Sequence, residues 1–568
     1  MKNELEKHIT EALISLGIEV TKGVVVERPA DSTHGDWSST VALAYAKQAK
    51  KAPLALGESL VAILKEKNIQ HVKDISLLHP GFINITLTSE YYTERIKDIL
   101  LKGKEGEVSG EFKGKRVMVE YTDPNPFKVF HIGHLMNNTI GESIACLMSA
   151  GGADVVRANY QGDVGLHVAK AIWGMRQSRP AFPEDTDDLK TKMTFVSNAY
   201  AYGASQYESD EQAKKDIDAI NKEVYTRENE DINVYYDKGR AWSLEHFEEV
   251  YALLGTKFDI YYFESEVATK GVEIVRKHIG TVFEESNGAV IYRGEKNGLH
   301  TRVFINSQGL PTYDGKDIGL TWRKEETDPS DISVVVSAEE QKEYYKVLVS
   351  AIREIDPAIS EKMRHVTHGM MQGPDGTKLS SRKGTALTGE SLIEEVEELV
   401  WEKLRERDMS EEDKREVMQA VSVGAVKYSI LRSKTSSNIA FDFDKSISFE
   451  GDSGPYLQYT AVRARSVLDK AGSQFLADAT PVFEEVGKAL YLLLDKFEEV
   501  VVRSQRELEP HHIATYAIEL ASAFNAFYAN TPILNVPETP SRLALVHAVE
   551  LVLTHSLSLL GIRVPKKM

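Results

Sequence analysis

Residues 115–160 read KRVMVEYTDPNPFKVFHIGHLMNNTIGESIACLMSAGGADVVRANY. The opening KRVMVEYT is a β-branched, apolar-rich strand, the stretch from His131 a helix closed by Gly151 and Gly152, and DVVRANY a second strand. Strand, crossover helix, strand is the first unit of a doubly wound parallel α/β sheet, so a Rossmann-like domain is expected here. Ligands in such sheets sit beyond the carboxyl ends of the strands, where helix N-termini aim exposed N–H groups at anions. The turn DPNPFKVFHIGHL occupies that place, yet the chain carries neither GxxxxGK[ST] nor GxGxxG. His131 and His134 stand three apart, so both rings can project from one face of the first helical turn. Gly133 between them leaves room for a flat ring or a phosphate near the backbone. A lone histidine here is read as a cap or packing residue. Two of them framing a glycine, with Lys128 in the same turn, point to phosphate chemistry in which imidazoles and an ammonium replace the glycine cradle.

The remaining chain surrounds that unit with others, and 568 residues suit three or four domains at about 150 each. Residues 1–106 mix helical pattern (ALGESLVAILKEKN) with short strands (INITLT) and end in the polar, glycine-containing LKGKEGEVSGEFKGK, a linker. They are expected to form an N-terminal α+β domain. Residues 107–394 hold the parallel-sheet domain, with a charged, helix-rich insertion at about 177–300 and a completing strand in DISVVVSA at 331–338. Residues 395–450 read as a helical linker region and 451–568 as an all-α domain, with prolines only between helical patterns.

Composition excludes some functions. No apolar run nears the roughly 20 residues of a membrane span, and the charged N-terminus MKNELEKHITEALISLGIEV lacks a secretory core. Cys146, the one cysteine, permits neither an intramolecular disulfide nor a multi-cysteine zinc site; in ESIACLMSA it reads as core, and a reducing compartment fits. A formal charge of −18 disfavours nucleic-acid binding over the whole surface but permits a basic face, because affinity comes from local phosphate contacts.

A second element narrows the chemistry. MMQGPDGTKLSSRKGTAL at 370–387 is a glycine-punctuated loop with Lys378, Ser380, Ser381, Arg382 and Lys383 after the last strand pattern. A mobile cationic loop suits a reaction that expels pyrophosphate, since a group closing on the developing charge lowers the barrier preferentially. HIGH followed by KLSSR resembles the paired signatures of class I aminoacyl-tRNA synthetases. Around them the sequence resembles the arginyl-tRNA synthetase family nearly end to end. EYTDPNPFKVFHIGHL, NYQGDVGLHVAK at 159–170 and TYDGKDIG at 312–319 match its catalytic half. VGAVKYSIL, FDFDKSISFEGDSGPYLQYTAVRARS and LLGIRVPKKM match its C-terminal half, and HGDWSSTVALAYAK and HPGFINITL its N-terminal domain.

The resemblance implies ATP-dependent activation of L-arginine to arginyl-adenylate and transfer to the 3′ end of tRNA(Arg). ATP with Mg²⁺ is implied, no zinc is expected, and no protein side chain is expected to hold a metal. The implied ATP site comprises Lys128, His131, Gly133, His134, Lys378, Ser380, Ser381 and Arg382, and the implied arginine site Glu120, Asn125, Tyr313, Asp317 and Gln341. In it the carboxylates supply charge, Tyr313 meets the guanidinium, and Asn125 and Gln341 meet the ammonium and carboxylate ends. A planar cation with five donors calls for a carboxylate fork or an aromatic face, which Tyr313 and Asp317, four apart, can supply. Such a pocket rejects lysine by up to about 10⁴-fold without a second hydrolytic site. The family's second signature lysine falls at Ser381, and Lys128 is where many arginyl enzymes carry a compensating lysine; Arg382 or Lys383 could serve instead. The helical C-terminus is expected to receive the anticodon loop, with Tyr459, Arg463 and Arg465 as candidate contacts. Trp37 and Phe82 are candidate stacking faces, though more often such residues are core. A cytoplasmic monomer bound to neither DNA nor membrane is expected. A small-molecule nucleotidylyltransferase using HxGH and a non-catalytic tRNA-binding paralogue are the alternatives.

Overall fold

A computed structural model describes residues 1–568 apart from 30, 104–107, 178–181, 380–386 and 473–479. Contacts divide the chain into two compact units. The larger comprises Lys104–Arg463, Phe497–Ala521 and Leu553–Met568, and the smaller Met1–Gly103, Ala464–Lys496 and Ser522–Val552.

Five strands organise the larger unit: β1 (Arg116–Glu120), β2 (Asp154–Gln161), β3 (Ile260–Phe263), β4 (Ile332–Ala338) and β5 (Met363–His368). They lie in the order β5-β4-β1-β2-β3, every pair parallel. Parallel strands covered on both faces need apolar side chains on both, and β1 supplies Val117, Met118 and Val119, all buried. Chain order reverses between β1 and β4, where Val335 pairs with Glu120, so the crevice beyond their carboxyl ends is the switch point of the fold. From there runs α1 (Ile132–Ala150), buried on nearly every face. Behind it Glu142 accepts hydrogen bonds from Tyr121 and from Arg157 of β2, the latter at 3.1 Å, which ties the helix to the sheet.

The span 177–300, expected as one insertion, is more than that. Helices α2 (Leu166–Gln177), α3 (Leu189–Ser209), α4 (Glu211–Thr226) and α5 (Glu230–Leu254) share an apolar core with Phe127 of the opening turn. The chain then returns to the sheet as β3 and continues into α6 (Glu264–Lys277), so 260–277 belongs to the catalytic sheet. A three-stranded antiparallel sheet (Glu284–Ser286, Ala289–Tyr292, Arg302–Ile305) leads into α7 (Tyr313–Thr327). The helix α8 (Lys342–Ile355) joins β4 to the segment before β5.

The smaller unit is built on a four-stranded sheet of Val26–Glu27, Trp37–Ser39, Phe82–Leu87 and Val72–Leu78, in that spatial order. Its C-terminal stretches join it through Asp495, whose carboxylate accepts from Arg28 (2.7 Å), Tyr91 (2.8 Å) and Arg95 (3.0 Å). The stretch 451–568 thus contributes to both units. Trp37 is not a free stacking face: it is 2% exposed, with the Arg28 guanidinium 4.4 Å above its ring. Phe82 is half-buried in its strand. The helix α9 (Thr539–Leu559) corrects another expectation, being long and apolar enough by length and composition to cross a membrane, although 72% of that window is buried inside the fold.

Candidate active site

A cavity of about 550 Å³ opens at the switch point. Its lining includes Lys128, His131, Gly133 and His134 as one group and Glu120, Asn125, Tyr313, Asp317 and Gln341 as another.

In the first group, His131 is the N-cap of α1 and His134 its third residue, and each caps the other. The His134 amide donates to His131 Nδ1 and the His131 amide to His134 Nδ1, both at 3.3 Å. The rings stack at 3.5 Å between centroids. With Nδ1 accepting in both, each neutral ring carries its proton on Nε2, so two N–H donors stand at a helix N-terminus, itself a site for negative charge. Burial, then the neighbouring His131 and Lys128, holds the His134 pKa well below the ordinary histidine range, and burial with Lys128 lowers that of His131. The cap read from the sequence is present, and it uses Nδ1 of each ring and not Nε2. A Cβ on Gly133 would lie 2.9 Å from His131 Cε1 and break the stack. Lys128 forms no salt bridge among the described residues; its ammonium lies 5.5 Å over the Tyr200 ring of α3, and burial depresses its pKa.

The second group is rich in carboxylates. Glu120, at the end of β1, is ion-paired with Lys324 of α7; both are buried, and the pairing leaves Glu120 Oε2 without a well-directed hydrogen bond. Asp317 accepts from the Tyr344 hydroxyl of α8, and the surface it keeps opens on the cavity. Burial raises its pKa to about 8, the Tyr344 hydrogen bond opposing and the charges of Glu120 and Glu264 adding to the rise. Asp123 also lines the cavity; its Oδ1 accepts from the Tyr160 backbone N–H at 2.8 Å, and burial and Glu120 push its pKa well above the carboxylate range. Tyr313 is no core residue: it opens α7 and is 63% exposed. Gln341 lies at the end of a short 3₁₀ turn, as the N-cap residue of α8. Asn125 is held close to Gly162, where any Cβ would overlap Asn125 Oδ1. Gly162→Ala is expected to raise KM for arginine about tenfold through Asn125 while KM for ATP changes less than about twofold, read from initial rates over both substrates.

Asp123, Tyr160, Lys324 and Tyr344 were not singled out from sequence. Asp123 had a signal, an acid three residues past Glu120 in the same turn. Lys324 had none, because a lysine on a charged helix is ordinarily solvated.

Lys378 does not line this cavity. It is exposed and borders a smaller one of about 310 Å³, beside Gly373, Asp442 and Asp444. Ser380, Ser381, Arg382 and Lys383 lie outside the described residues. The chain resumes beside the histidines, with Thr388 bridged to His131 and the Gly389 amide donating to Phe130 O at 2.9 Å. Tyr459 is half-buried under the Arg463 guanidinium, 4.6 Å from its ring centroid. Arg465 is ion-paired at 2.8 Å with buried Glu550, so its guanidinium joins helices.

A five-stranded parallel sheet with paired histidines capping the helix at its switch point, in a chain whose sequence reads KLSSRK after the last strand, fits a class I aminoacyl-tRNA synthetase, and the comparisons show that class. The family model for tRNA synthetases class I (R), catalytic domain, matches residues 95–443; a DALR anticodon binding domain matches 457–568 and an arginyl tRNA synthetase N terminal domain 3–87. The chain belongs to the arginyl-tRNA synthetases. An arginine–tRNA ligase of Streptococcus mutans is 30% identical over 556 residues, 96% of each chain. One of Treponema denticola is 28% identical over 583 residues, 98% of each. In fold, the chain is similar to the arginyl-tRNA synthetase of Thermus thermophilus, with a TM-score of 0.83, 24% identity and complete coverage of both chains.

Proposed function

We propose how this cavity performs the family's reaction, the ATP-dependent joining of arginine to tRNA. ATP lies with its phosphates toward Nε2–H of His131 and His134 and toward Lys128, and arginine lies along the carboxylate wall. The guanidinium meets Asp317 and the Tyr313 ring, Glu120 adds negative charge behind Lys324, and Asn125 and Gln341 orient the α-amino and carboxylate ends. The arginine carboxylate oxygen attacks the α-phosphorus in line; the bond to the bridging oxygen breaks, and pyrophosphate leaves as arginyl-adenylate forms. A 3′-terminal ribose hydroxyl of tRNA(Arg) then attacks the arginyl carbonyl, the bond from that carbon to the phosphate oxygen breaks, and AMP departs, its phosphate taking up the hydroxyl proton. Mg²⁺ arriving with ATP would screen the triphosphate charge. The histidines and lysines stabilise charge and hold geometry; neither histidine needs to move a proton.

Lys378 and the loop with Ser380, Ser381 and Arg382 serve the leaving pyrophosphate, and Lys128 supplies the charge that Ser381 lacks. Tyr459 and Arg463 remain candidate contacts for the anticodon region. The protein acts as a cytoplasmic monomer, bound to neither DNA nor membrane, and needs no zinc.

The observation that carries the arginine assignment is Asp317: a carboxylate that among the described residues has a hydroxyl as its partner, raised to about 8, in a cavity wall with two further acids near it. Charging of total tRNA with each labelled amino acid tests it, and loading of any amino acid but arginine overturns it. A pH dependence follows. Guanidinium pairs with the ionised carboxylate, so below about pH 8 binding releases a proton from Asp317. KM for arginine should fall with rising pH by up to about one decade per unit and level off above that value. For folding the sign is opposite: the neutral carboxyl is favoured in the fold, so its contribution is full below the unfolded value of 3.8 and declines as pH rises through about 8.

A further inference from the structure

We infer that Glu509, in the turn between the helices Lys488–Glu507 and His511–Asn530, is a positioning residue for adenylate formation, because through Thr435 it holds the strand that presents Lys378. This rests on the reading of Lys378 as a group that serves the leaving pyrophosphate. Lys378 is bridged to Gln372, and the Gly373 amide donates to Thr377 O at 2.9 Å, so Lys378 stands on the return arm of a tight hairpin. The outgoing arm, 369–372, pairs not with the five-stranded sheet but with a second stretch, 435–441. The Gly369 amide donates to Thr435 O (3.1 Å) and the Met370 amide to Asn438 Oδ1 (2.9 Å). In return the Ile439 and Phe441 amides donate to Met370 O and Gln372 O, both at 2.8 Å. Where 435–441 stands therefore sets where Lys378 stands.

Packing does little to fix that stretch. From 434 to 440 only Ile439 is buried, and a segment with so little apolar contact keeps one position only where hydrogen bonds hold it. Glu509 supplies them. Its Oε2 accepts from the Thr435 amide at 3.0 Å and its Oε1 from the Thr435 hydroxyl at 3.2 Å, so one carboxylate grips one residue through both oxygens. Hydrogen bonds to an ionised acceptor are the stronger kind. The carboxylate is itself rigidly presented. It is buried, with His511 Nδ1 3.1 Å from Oε2. Buried Ser504 holds both backbone groups of Glu509, its carbonyl accepting from the Glu509 amide at 3.0 Å and its hydroxyl donating to Glu509 O at 2.6 Å. A local cap would turn back on the first turn of the helix that follows it, whereas this side chain reaches a residue 74 positions away, in the stretch that carries the hairpin.

Adenylate formation by the full-length enzyme, measured by rapid quench with tRNA present, tests this with Glu509→Ala placed in the wild-type and the Lys378→Ala backgrounds. Glu509→Ala should slow the step about 10- to 100-fold and leave KM for arginine within about threefold. A carboxylate that acts through Lys378 has nothing left to position once that lysine is gone, so in the Lys378→Ala background the same substitution should slow the step less than about threefold. Losses of equal size in the two backgrounds, or a matching rise in KM for arginine, overturn the assignment, because a general loosening of the fold adds to the loss of the lysine and spares no step. If Glu509→Ala does not fold, as judged by its thermal midpoint, Thr435→Val, which removes only the hydroxyl, is carried through the same two backgrounds and read the same way. Failure of both to fold also overturns it, since the contact would then serve stability. A Lys378→Ala enzyme as fast as wild type would instead sink the reading of that lysine on which this inference rests.

Discussion

Asp317→Ala should lower kcat/KM for arginine by about 10²- to 10⁴-fold and leave KM for ATP within about threefold. Removing one partner of a desolvated ion pair costs about 3–5 kcal/mol, because the other charge stays buried without compensation, and each 1.4 kcal/mol is roughly tenfold. Asp317 meets that condition: it is drawn out of water far enough to titrate near 8, and among the described residues its carboxylate is paired with the Tyr344 hydroxyl. Asp317→Asn should lose nearly as much, because a carboxamide offers one acceptor oxygen where the guanidinium fork uses two. The steep fall of KM with pH should flatten in both variants, since the group that releases the proton is gone. Steady-state charging at several pH values gives the KM and kcat split, and a loss confined to kcat would contradict a role in holding arginine.

The legibility of this site in the sequence follows how local each signal is. The β1–α1–β2 unit and the paired histidines depend on strand period and helix start, both written within a few residues, and the structure places them as read. The edge strand β3 was hidden. Its four residues, IYYF, follow a long helical stretch and are too few to show alternation, so 260–277 looked like more insertion. Gln341 has charged neighbours in the sequence; its position comes from the 3₁₀ turn that follows β4, which no periodicity announces. The ion pair Lys324–Glu120 joins residues more than two hundred apart and has no local trace. The helix α9 was misjudged for a related reason. Arg542, His547, Glu550 and His555 interrupt its apolar run, yet Glu550 is buried against Arg465, so the interruption is internal pairing. Arg465 shows its charge in the sequence but not its partner Glu550.

His134→Ala should reduce arginyl-adenylate formation by about 10²- to 10³-fold, with arginine affinity changed by less than about threefold. Loss of one preorganised donor to developing charge costs that much where water is excluded, and His134 is buried at the helix N-terminus. The variant also loses half of the reciprocal cap, worth about 0.5–2 kcal/mol of stability, so its thermal midpoint should fall by a few degrees. The cap matters to catalysis as well. The His131 amide holds His134 in the tautomer that presents Nε2–H, and the His134 amide does the same for His131, which keeps its donor in the variant. His131→Ala should therefore resemble His134→Ala in kind, and the double variant should lose less than the product of the two, because each ring orients its neighbour. Burial keeps both rings neutral, so wild-type adenylate formation at saturating arginine should show no break near pH 6.5, the ordinary histidine value. Rapid-quench measurement with tRNA present, across pH 5.5–8, reads all of this, and a rate that rises and falls with a titration near 6.5 would show an imidazole moving a proton, against the role assigned here.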